Sequence, residues 1–221
     1  PRAPAGLDAG AFAATPNIES LCQRGVVFRN AWANPLCSPT RASMLTGRYG
    51  FRTGVGHLAN NDGGGLPNSE FTIPEALDAN PDLGYAHACI GKWHLSDNAN
   101  GGMNHPNLAG FSHFSGGLRG GIRDYNSWPK VVNGQQRNVT NYATTENVDD
   151  AIDWIEGREG PWFLWLAFNA PHTPLHLPPA GLHSHADLTG TAADISNRPR
   201  EYFGAMIEAM DSEIGRLWAA I

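Results

Sequence analysis

The sequence predicts an α/β fold in which a mostly parallel sheet is flanked by helices. Residues 161–168 form a continuous apolar run of strand length, as in a strand that is covered on both faces. Residues 84–90 also have the composition of a strand, and helical patterns precede and follow these two runs. Helices that alternate with buried strands are typical of parallel sheets, in which ligands bind beyond the carboxyl ends of the strands.

Length and composition restrict the class of protein. The 221 residues suffice for one sizeable core and at most two small domains, and 41% hydrophobic residues with seven tryptophans indicate a well-filled interior. With 21 acidic against 15 basic residues the net charge is −6, so no nucleic-acid partner is expected. No apolar run approaches the ~18 residues of a membrane span. The three cysteines are too few and too scattered for a disulfide framework or a zinc knuckle.

The first predicted elements lead towards residue 35. Thr15 and Pro16 have the character of a helix start, with threonine as the N-cap and proline in the first turn, and Gly25 is a typical helix end. Residues 26–28 are consecutive apolar residues and predict a short strand.

The middle of the chain combines loops with one short helix. Residues 51–69 are rich in glycine and asparagine and predict a loop. Thr72 and Glu75 form a capping-box pattern that opens a helix through about Ala79. Residues 96–121 predict a second, longer loop with paired glycines, and loops of that length are often functional.

Two amphipathic helices complete the prediction. The first is capped by Thr145, ends at Gly157 and carries Asp149 and Asp150 on a solvated face. The second covers residues 202–218. Its predicted core-facing side chains are Phe203, Met206, Ile207, Met210, Ile214 and Leu217, and its predicted solvent-facing side chains are Glu208, Asp211 and Glu213.

The segment 35–48 carries the strongest chemical signal in the sequence. Pro39 is tolerated near a helix start and Gly47 is a natural helix end, which places Cys37 at a helix N-terminus, where exposed N–H groups and the dipole favour an anion. Arg41, one turn further on, is expected to point back at the same spot. The simpler interpretation is an ordinary helix that starts with a buried free cysteine.

Further candidates follow the other predicted strands. Lys92 and His94 come directly after one strand and His172 after another, as Cys37 follows the short strand at 26–28. Because the carboxyl ends of parallel strands meet at one edge of a sheet, these four side chains are expected to share a site.

Two of these segments resemble the signatures of one family. Residues 35–48, with the pattern Cys-x-Pro-x-Arg starting at Cys37, resemble the signature of the type I, formylglycine-dependent sulfatases of the alkaline phosphatase-like superfamily. Residues 84–95 resemble the second signature of that family, with His87 where the family usually has serine or threonine.

Two later segments resemble further parts of the same family. Residues 169–174 are similar to the segment that carries another active-site histidine, and residues 206–217 are similar to the helix that follows it. The resemblance implies an alkaline phosphatase/sulfatase-like fold. It identifies residues 1–221 as part of a sulfatase-like catalytic domain that is incomplete at both ends.

The resemblance implies a role for each candidate. A formylglycine-generating enzyme would oxidise Cys37 to formylglycine, whose hydrated diol attacks the sulfur of a sulfate ester and forms a covalent sulfo-enzyme intermediate. Arg41 would hold the diol, and Lys92 would bind a sulfate oxygen. His172 would contact the sulfate and protonate the departing alcohol, and His94 would accept the proton of the second diol oxygen.

The resemblance also implies a divalent cation, Ca²⁺ or Mg²⁺, bound by Cys37 in its formylglycine form. The family holds this cation with two acidic residues after the first strand and an Asp-Asn pair well beyond the last helix predicted here. No Asp-Asp pair precedes Cys37, where Asp8 is the single aspartate. The remaining ligands, and a second lysine of the family site, are therefore expected outside this chain.

The expected substrate is a small sulfate ester or a sulfated sugar, for which Tyr125, Trp128 and the loop 96–121 are candidate contacts. One alternative is a phosphonate or phosphate ester hydrolase of the same superfamily, and another is a non-catalytic remnant that keeps the fold. A redox role for Cys37 lacks a nearby resolving cysteine. A zinc site is a further alternative, built from four histidines: His172, His176, His183 and His185. The 221 residues show no signal peptide and fix no compartment, with a periplasmic or secreted location favoured over a cytoplasmic one.

Overall fold

The computed structural model describes residues 13–221, and a sheet of five strands organises this part of the chain. The strands are β1 (Ala86–Gly91), β2 (His113–Gly116), β3 (Trp128–Val132), β4 (Gln135–Val139) and β5 (Trp162–Ala167). Across the sheet their order is β4-β3-β2-β1-β5. Strand β1 pairs in parallel with both β2 and β5, whereas β3 is antiparallel to β2 and to β4. The predicted α/β sheet is therefore parallel around β1 and carries an antiparallel hairpin at one edge.

Two features of the sheet depart from the sequence prediction. The predicted loop 96–121 is wrong at β2, because Gly116 allows that strand to lie against β1: a Cβ atom at Gly116 would meet the carbonyl oxygen of Gly91. The hairpin β3–β4 turns through Asn133 and Gly134, both with positive φ (45° and 81°). Asn-Gly between two strands is a strong hairpin signal that the sequence prediction does not use.

Helices flank the sheet as expected. Those described are α1 (Pro16–Arg24), α2 (Cys37–Thr46), α3 (Gly50–Thr53), α4 (Ile73–Asp78), α5 (His105–Leu108), α6 (Ala143–Glu156), α7 (Ala192–Asn197) and α8 (Pro199–Ala220). Three-residue 3₁₀ turns lie at Pro81–Leu83 and Gly102–Asn104. The capping box at α4 is confirmed, since the Thr72 and Glu75 side chains each bond the other's backbone. The predicted starts and ends of α1 and α2 are confirmed as well, although the Thr15 side chain makes no cap bond.

Successive residues of β1 face opposite layers of the core. Ala88 and Ile90 pack with Trp154 of α6. Cys89 faces the other way and packs with Trp93 and with Leu45 of α2. The sheet is thus buried between α6 on one face and α2 with its neighbouring loops on the other, and α8 packs against α6.

The short strand predicted at residues 26–28 is wrong. These residues form no ladder, and the exposed fractions of Val26, Val27 and Phe28 are 81%, 55% and 80%. A strand needs a neighbouring strand to satisfy its backbone, and none of the described strands lies beside this segment.

The helix pattern around residue 145 needs correction at two points. Tyr142 is the N-cap of α6, so Thr145 lies inside the helix, where its hydroxyl donates to a Glu213 carboxylate oxygen over 2.6 Å. Asp150 is not on a solvated face, because it accepts a hydrogen bond from Ser115 over 2.6 Å and lies 2.5 Å from the fully buried Lys130 Nζ. Asp149 does lie on the surface, where it forms an exposed ion pair with Arg216 over 2.7 Å.

Helix α8 reverses part of its predicted amphipathic pattern. Phe203 is 44% exposed, whereas Glu208, Asp211 and Glu213 are buried. Glu208 accepts hydrogen bonds from the backbone N–H of Ser184, over 2.7 Å. The buried carboxylates of α8 therefore hold neighbouring segments in place rather than facing solvent.

Within residues 13–221, no helix combines the length and the apolar composition that a membrane crossing requires. Cys22, Cys37 and Cys89 are all unpaired thiols, exposed, half-buried and buried respectively.

Candidate active site

Cys37 is the first residue of α2. Leu36 at the N-cap is extended, so the chain enters the helix with the Cys37 side chain half-buried at the N-terminus. The helix ends at Gly47, which has φ of 67° and donates its N–H to the carbonyl of Ser43. The helix thereby presents Cys37 where unpaired backbone N–H groups favour a negative charge.

Lys92 lies directly beyond β1 and reaches the Cys37 thiol. Its backbone N–H donates to the carbonyl of Ala167 over 2.6 Å, and its Nζ donates to Cys37 Sγ over 3.2 Å. Lys92 is only 4% exposed, and burial lowers the pKa of its ammonium group. Among the described residues no carboxylate lies within ion-pair distance of this ammonium, so its charge is available to an anion.

Arg41 places a second cation beside the thiol. Its Nη1 donates to the carbonyl oxygen of Lys92 over 2.5 Å, and its guanidinium lies 5.2 Å from the centre of the Trp165 ring. Burial lowers the pKa of Arg41, while the neighbouring thiols of Cys89 and Cys37 act in the opposite direction.

These three residues border one cavity. Its volume is about 380 Å³, and its lining consists of Asn34, Leu36, Cys37, Thr40, Arg41, Met44, Lys92, Trp165, Ala167 and Phe168. Two cations and a helix N-terminus converge on this cavity without a carboxylate in its lining. Its electrostatic character therefore suits a small anion such as sulfate or phosphate.

His94 is held tightly next to the cavity. Its backbone has φ of 56°, its N–H donates to the carbonyl of Leu118 over 3.1 Å, and its carbonyl accepts from Ser38 Oγ over 2.7 Å. Burial lowers the pKa of His94 to about 4, and the charges of Lys92 and Arg41 contribute to this effect. The imidazole is therefore neutral at neutral pH, and its buried Nδ1 has no hydrogen-bond partner among the described residues.

His172 follows β5 and is exposed. Its Nδ1 lies 2.9 Å from the carbonyl oxygen of Thr173. Because a carbonyl oxygen only accepts, this contact assigns a proton to Nδ1. Tyr125 donates its hydroxyl to the carbonyl of His172 over 2.8 Å.

A glycine-rich loop, residues 117–121, lies against both His94 and His172. A Cβ atom at Gly120 would lie 2.3 Å from Cε1 of His94, and one at Gly121 would lie 3.3 Å from Cε1 of His172. The structure thus gathers Cys37, Arg41 and Lys92 around the cavity, and it places both histidines against this loop, outside the cavity lining.

Some residues near the site are missed or misplaced by the sequence analysis. Ser38, fully buried, bonds both His94 and the N–H of Ala59, and only its position next to Cys37 signals it. Tyr125 and Trp128, expected to contact substrate, are 2% and 0% exposed. Both side chains belong to the core and do not form a substrate surface.

The described residues contain no complete metal site. Residues 13–221 hold no group of three or more His, Cys, Asp or Glu side chains arranged to bind a metal ion. This result disfavours the zinc alternative. His176, one of its four proposed histidine ligands, stacks on Tyr125 with ring centres 4.1 Å apart. The expected Ca²⁺ or Mg²⁺ stays a prediction, because its ligands other than Cys37 are expected outside this chain and Asp8 lies outside the described residues.

Comparisons with known proteins agree on one family. The family model described as "Sulfatase" matches residues 3–221. The N-acetylgalactosamine-6-sulfatases of Sus scrofa and Homo sapiens are 31% and 32% identical to this chain, over 92% of its length in both cases. The alignment covers 41% of each relative, so the chain spans less than half the length of these curated relatives.

Solved structures show the same fold. A structure described as "Crystal structure of Ps i-CgsB in complex with k-i-k-neocarrahexaose" has a TM-score of 0.76 and 29% identity, and the match covers 93% of this chain and 49% of that one. A phosphonate monoester hydrolase of Agrobacterium radiobacter has a TM-score of 0.59 at 20% identity, covering 94% of this chain and 54% of that one, which is a likeness of fold alone.

Proposed function

Because the chain belongs to the Sulfatase family, we propose that it provides the nucleophile and part of the sulfate pocket of a sulfuric ester hydrolase. The observation that carries the proposal is the 3.2 Å hydrogen bond from the buried Lys92 ammonium to Cys37 Sγ. This contact puts an unneutralised cation beside the residue that would form the covalent bond to sulfur.

In this proposal a formylglycine-generating enzyme converts Cys37 to formylglycine, whose hydrate supplies the attacking oxygen. The Lys92 ammonium binds a sulfate oxygen and offsets the negative charge that grows as the ester bond breaks. Arg41, fixed through its bond to the Lys92 carbonyl, orients the side chain at position 37. These two cations replace the hydration that sulfate loses on entering the cavity.

The two histidines move protons. His94 is neutral at neutral pH, since its pKa is lowered to about 4, and a neutral imidazole has the lone pair that a general base requires. His172 keeps a proton on Nδ1 through Thr173, so in its doubly protonated, cationic form it donates the proton of Nε2 to the departing alcohol and returns to the neutral imidazole. Ca²⁺ or Mg²⁺ remains part of the proposal, with Cys37 in its formylglycine form as one ligand.

A sulfated sugar is the proposed substrate class. Relatives 31% and 32% identical are named N-acetylgalactosamine-6-sulfatase, and a structure at 29% identity is described in complex with k-i-k-neocarrahexaose. The cavity is lined by Lys92 and Arg41 and by no carboxylate, which agrees with an ester whose sulfate group binds there.

The first test is the mass of the tryptic peptide 30–41, isolated from a host that converts a control sulfatase. We expect an aldehyde or its hydrate at position 37. An intact thiol, with the control converted, would favour the non-catalytic remnant.

The second test is turnover by the full-length protein of 4-nitrophenyl sulfate and of its phosphate and phosphonate analogues, with and without Ca²⁺. We expect sulfate to be preferred and Lys92→Met to lower kcat/KM at least about 100-fold, as loss of a transition-state charge contact does. Arg137→Ala, which removes a cation from the outer strand β4, is the matched control. Faster turnover of the phosphorus esters would favour the alternative hydrolase.

A further inference from the structure

We propose that Arg119 and Arg123 form a second anion-binding subsite beside the candidate active site. The substrate would then be a polyanion, which carries another sulfate or a carboxylate in addition to the ester that is cleaved. This inference rests on the proposed function and specifies its substrate class.

Both sequence neighbours of Arg119, Leu118 and Gly120, contact His94. On one side the carbonyl of Leu118 accepts the His94 N–H over 3.1 Å. On the other side Gly120 lies so close to the imidazole that a Cβ atom would be 2.3 Å from Cε1. Neighbouring Cα atoms are ~3.8 Å apart, so the backbone of Arg119 is fixed beside His94 while its side chain is exposed.

The residues two positions before and two positions after Arg123 both contact His172. A Cβ atom at Gly121 would lie 3.3 Å from Cε1 of His172, and the Tyr125 hydroxyl donates to the His172 carbonyl over 2.8 Å. Ile122, between Gly121 and Arg123, is buried in the core and anchors the loop. Arg123 itself is exposed.

Neither guanidinium is neutralised within residues 13–221. No carboxylate lies within ion-pair distance of either one, although the protein carries 21 acidic residues against 15 basic ones. Arg48, by contrast, is an exposed arginine that pairs with Glu70 over 2.6 Å. Asp124, the sequence neighbour of Arg123, accepts the N–H of Asn126 over 2.8 Å.

The placement determines which ligand fits. Arg119 is next to the histidine proposed to act as base, and Arg123 is next to the histidine proposed to face the leaving alcohol. A group bound by these arginines is therefore attached to the alcohol part of the ester. Guanidinium groups match the planar carboxylate and the oxygens of sulfate with paired hydrogen bonds. Both side chains are exposed, so this contribution should weaken as salt is added.

The test compares kcat/KM of the full-length protein for a disulfated and for a monosulfated disaccharide. Loss of both guanidinium groups in Arg119→Ala/Arg123→Ala should lower the ratio of the two values about tenfold or more, mainly through KM. Salt should lower the same ratio in the wild type and change it little in the double variant. Arg137→Ala, which removes from the outer strand β4 an exposed arginine without an ion-pair partner in residues 13–221, should leave the ratio unchanged.

Two controls keep the outcome interpretable. Thermal melting shows whether the double variant is folded, and Arg119→Lys/Arg123→Lys should restore part of the ratio if charge is what matters. An unchanged ratio in a folded double variant, or an equal loss in Arg137→Ala, would overturn the proposal. If the wild type hydrolyses no sulfate ester, the proposed function fails, and calorimetric binding of the disulfated disaccharide to the wild type and the double variant still decides the arginine subsite.

Discussion

The hydroxyl group of Ser38 donates to the carbonyl oxygen of His94 over 2.7 Å and joins the first turn of α2 to the segment beyond β1. The hydroxyl oxygen of Ser38 in turn accepts the N–H of Ala59 over 3.0 Å. His94 has φ of 56°, a conformation that non-glycine residues seldom adopt. The bond from Ser38 is one of the contacts that keep this residue in place next to Cys37.

Replacing Ser38 tests this link. Ser38→Ala should lower the free energy of unfolding by about 1–3 kcal/mol, because a buried carbonyl and a buried N–H each lose a partner. Turnover of a sulfate ester should fall as well, since His94 is less firmly held. Ser43→Ala on the same helix is the control, and urea denaturation measures both. Equal stabilities for the two variants would contradict the proposed role of Ser38.

Gly120→Ala should displace the side chain of His94. The backbone of Gly120 is not in the left-handed region, so alanine can adopt its conformation. The added Cβ atom would lie 2.3 Å from Cε1 of His94, so the imidazole has to move. We expect kcat to fall at least about tenfold, as misplacement of a catalytic group by ~1 Å does. Gly56→Ala is the control, because nothing lies within 4 Å of its added Cβ atom. Unchanged kcat in Gly120→Ala would show that the position of His94 does not matter.

The titration of His94 is a direct test of its environment. Burial and the charge of Lys92 lower the pKa of His94 to about 4, so its NMR signals should titrate near pH 4 and shift to higher pH in Lys92→Met. Because the unfolded chain binds this proton near pH 6.5, the contribution of His94 to stability is present above that pH. It is lost as the pH falls towards 4. Titration near pH 6.5 in the wild type would mean that the imidazole is solvated.

Asp211 caps a helix that lies far away in the sequence. Its carboxylate accepts the backbone N–H of Asn17 over 3.0 Å and of Ile18 over 2.8 Å, in the first turn of α1. Asp211→Ala should therefore cost about 1–3 kcal/mol and expose α1 to proteolysis. Asp149→Asn, which breaks an exposed ion pair with Arg216, should cost less than about 1 kcal/mol. A protease-resistant α1 in Asp211→Ala would mean that other contacts hold it.

Local patterns succeeded where the physical cause is local. The capping box of Thr72 and Glu75 and the left-handed glycine at Gly47 depend on a few neighbouring residues, and the structure has both. The expected helix N-terminus at Cys37 is of the same kind. The roles given to Arg41, Lys92, His94 and His172 came from resemblance and stay predictions.

Patterns failed where the partner lies far away in the sequence. Val27 belongs to an apolar run that looks like a strand, but a strand exists only beside another strand. Glu208 and Asp211 look solvated in a helical pattern, yet their hydrogen-bond donors lie up to 194 residues away. In contrast, the Asn133–Gly134 turn depends on two adjacent residues, and an Asn-Gly pair of this kind indicates a hairpin from the sequence alone.

The cap on α1 has a consequence for the newly made chain. Helix α1 buries none of its side chains completely, so its order depends on the carboxylate of Asp211 and on α8. On the ribosome, at 5–20 residues per second, Asp211 is made ~10–40 s after Asn17. During that interval α1 is available to chaperones and proteases, and the step that ends its exposure is the arrival of α8.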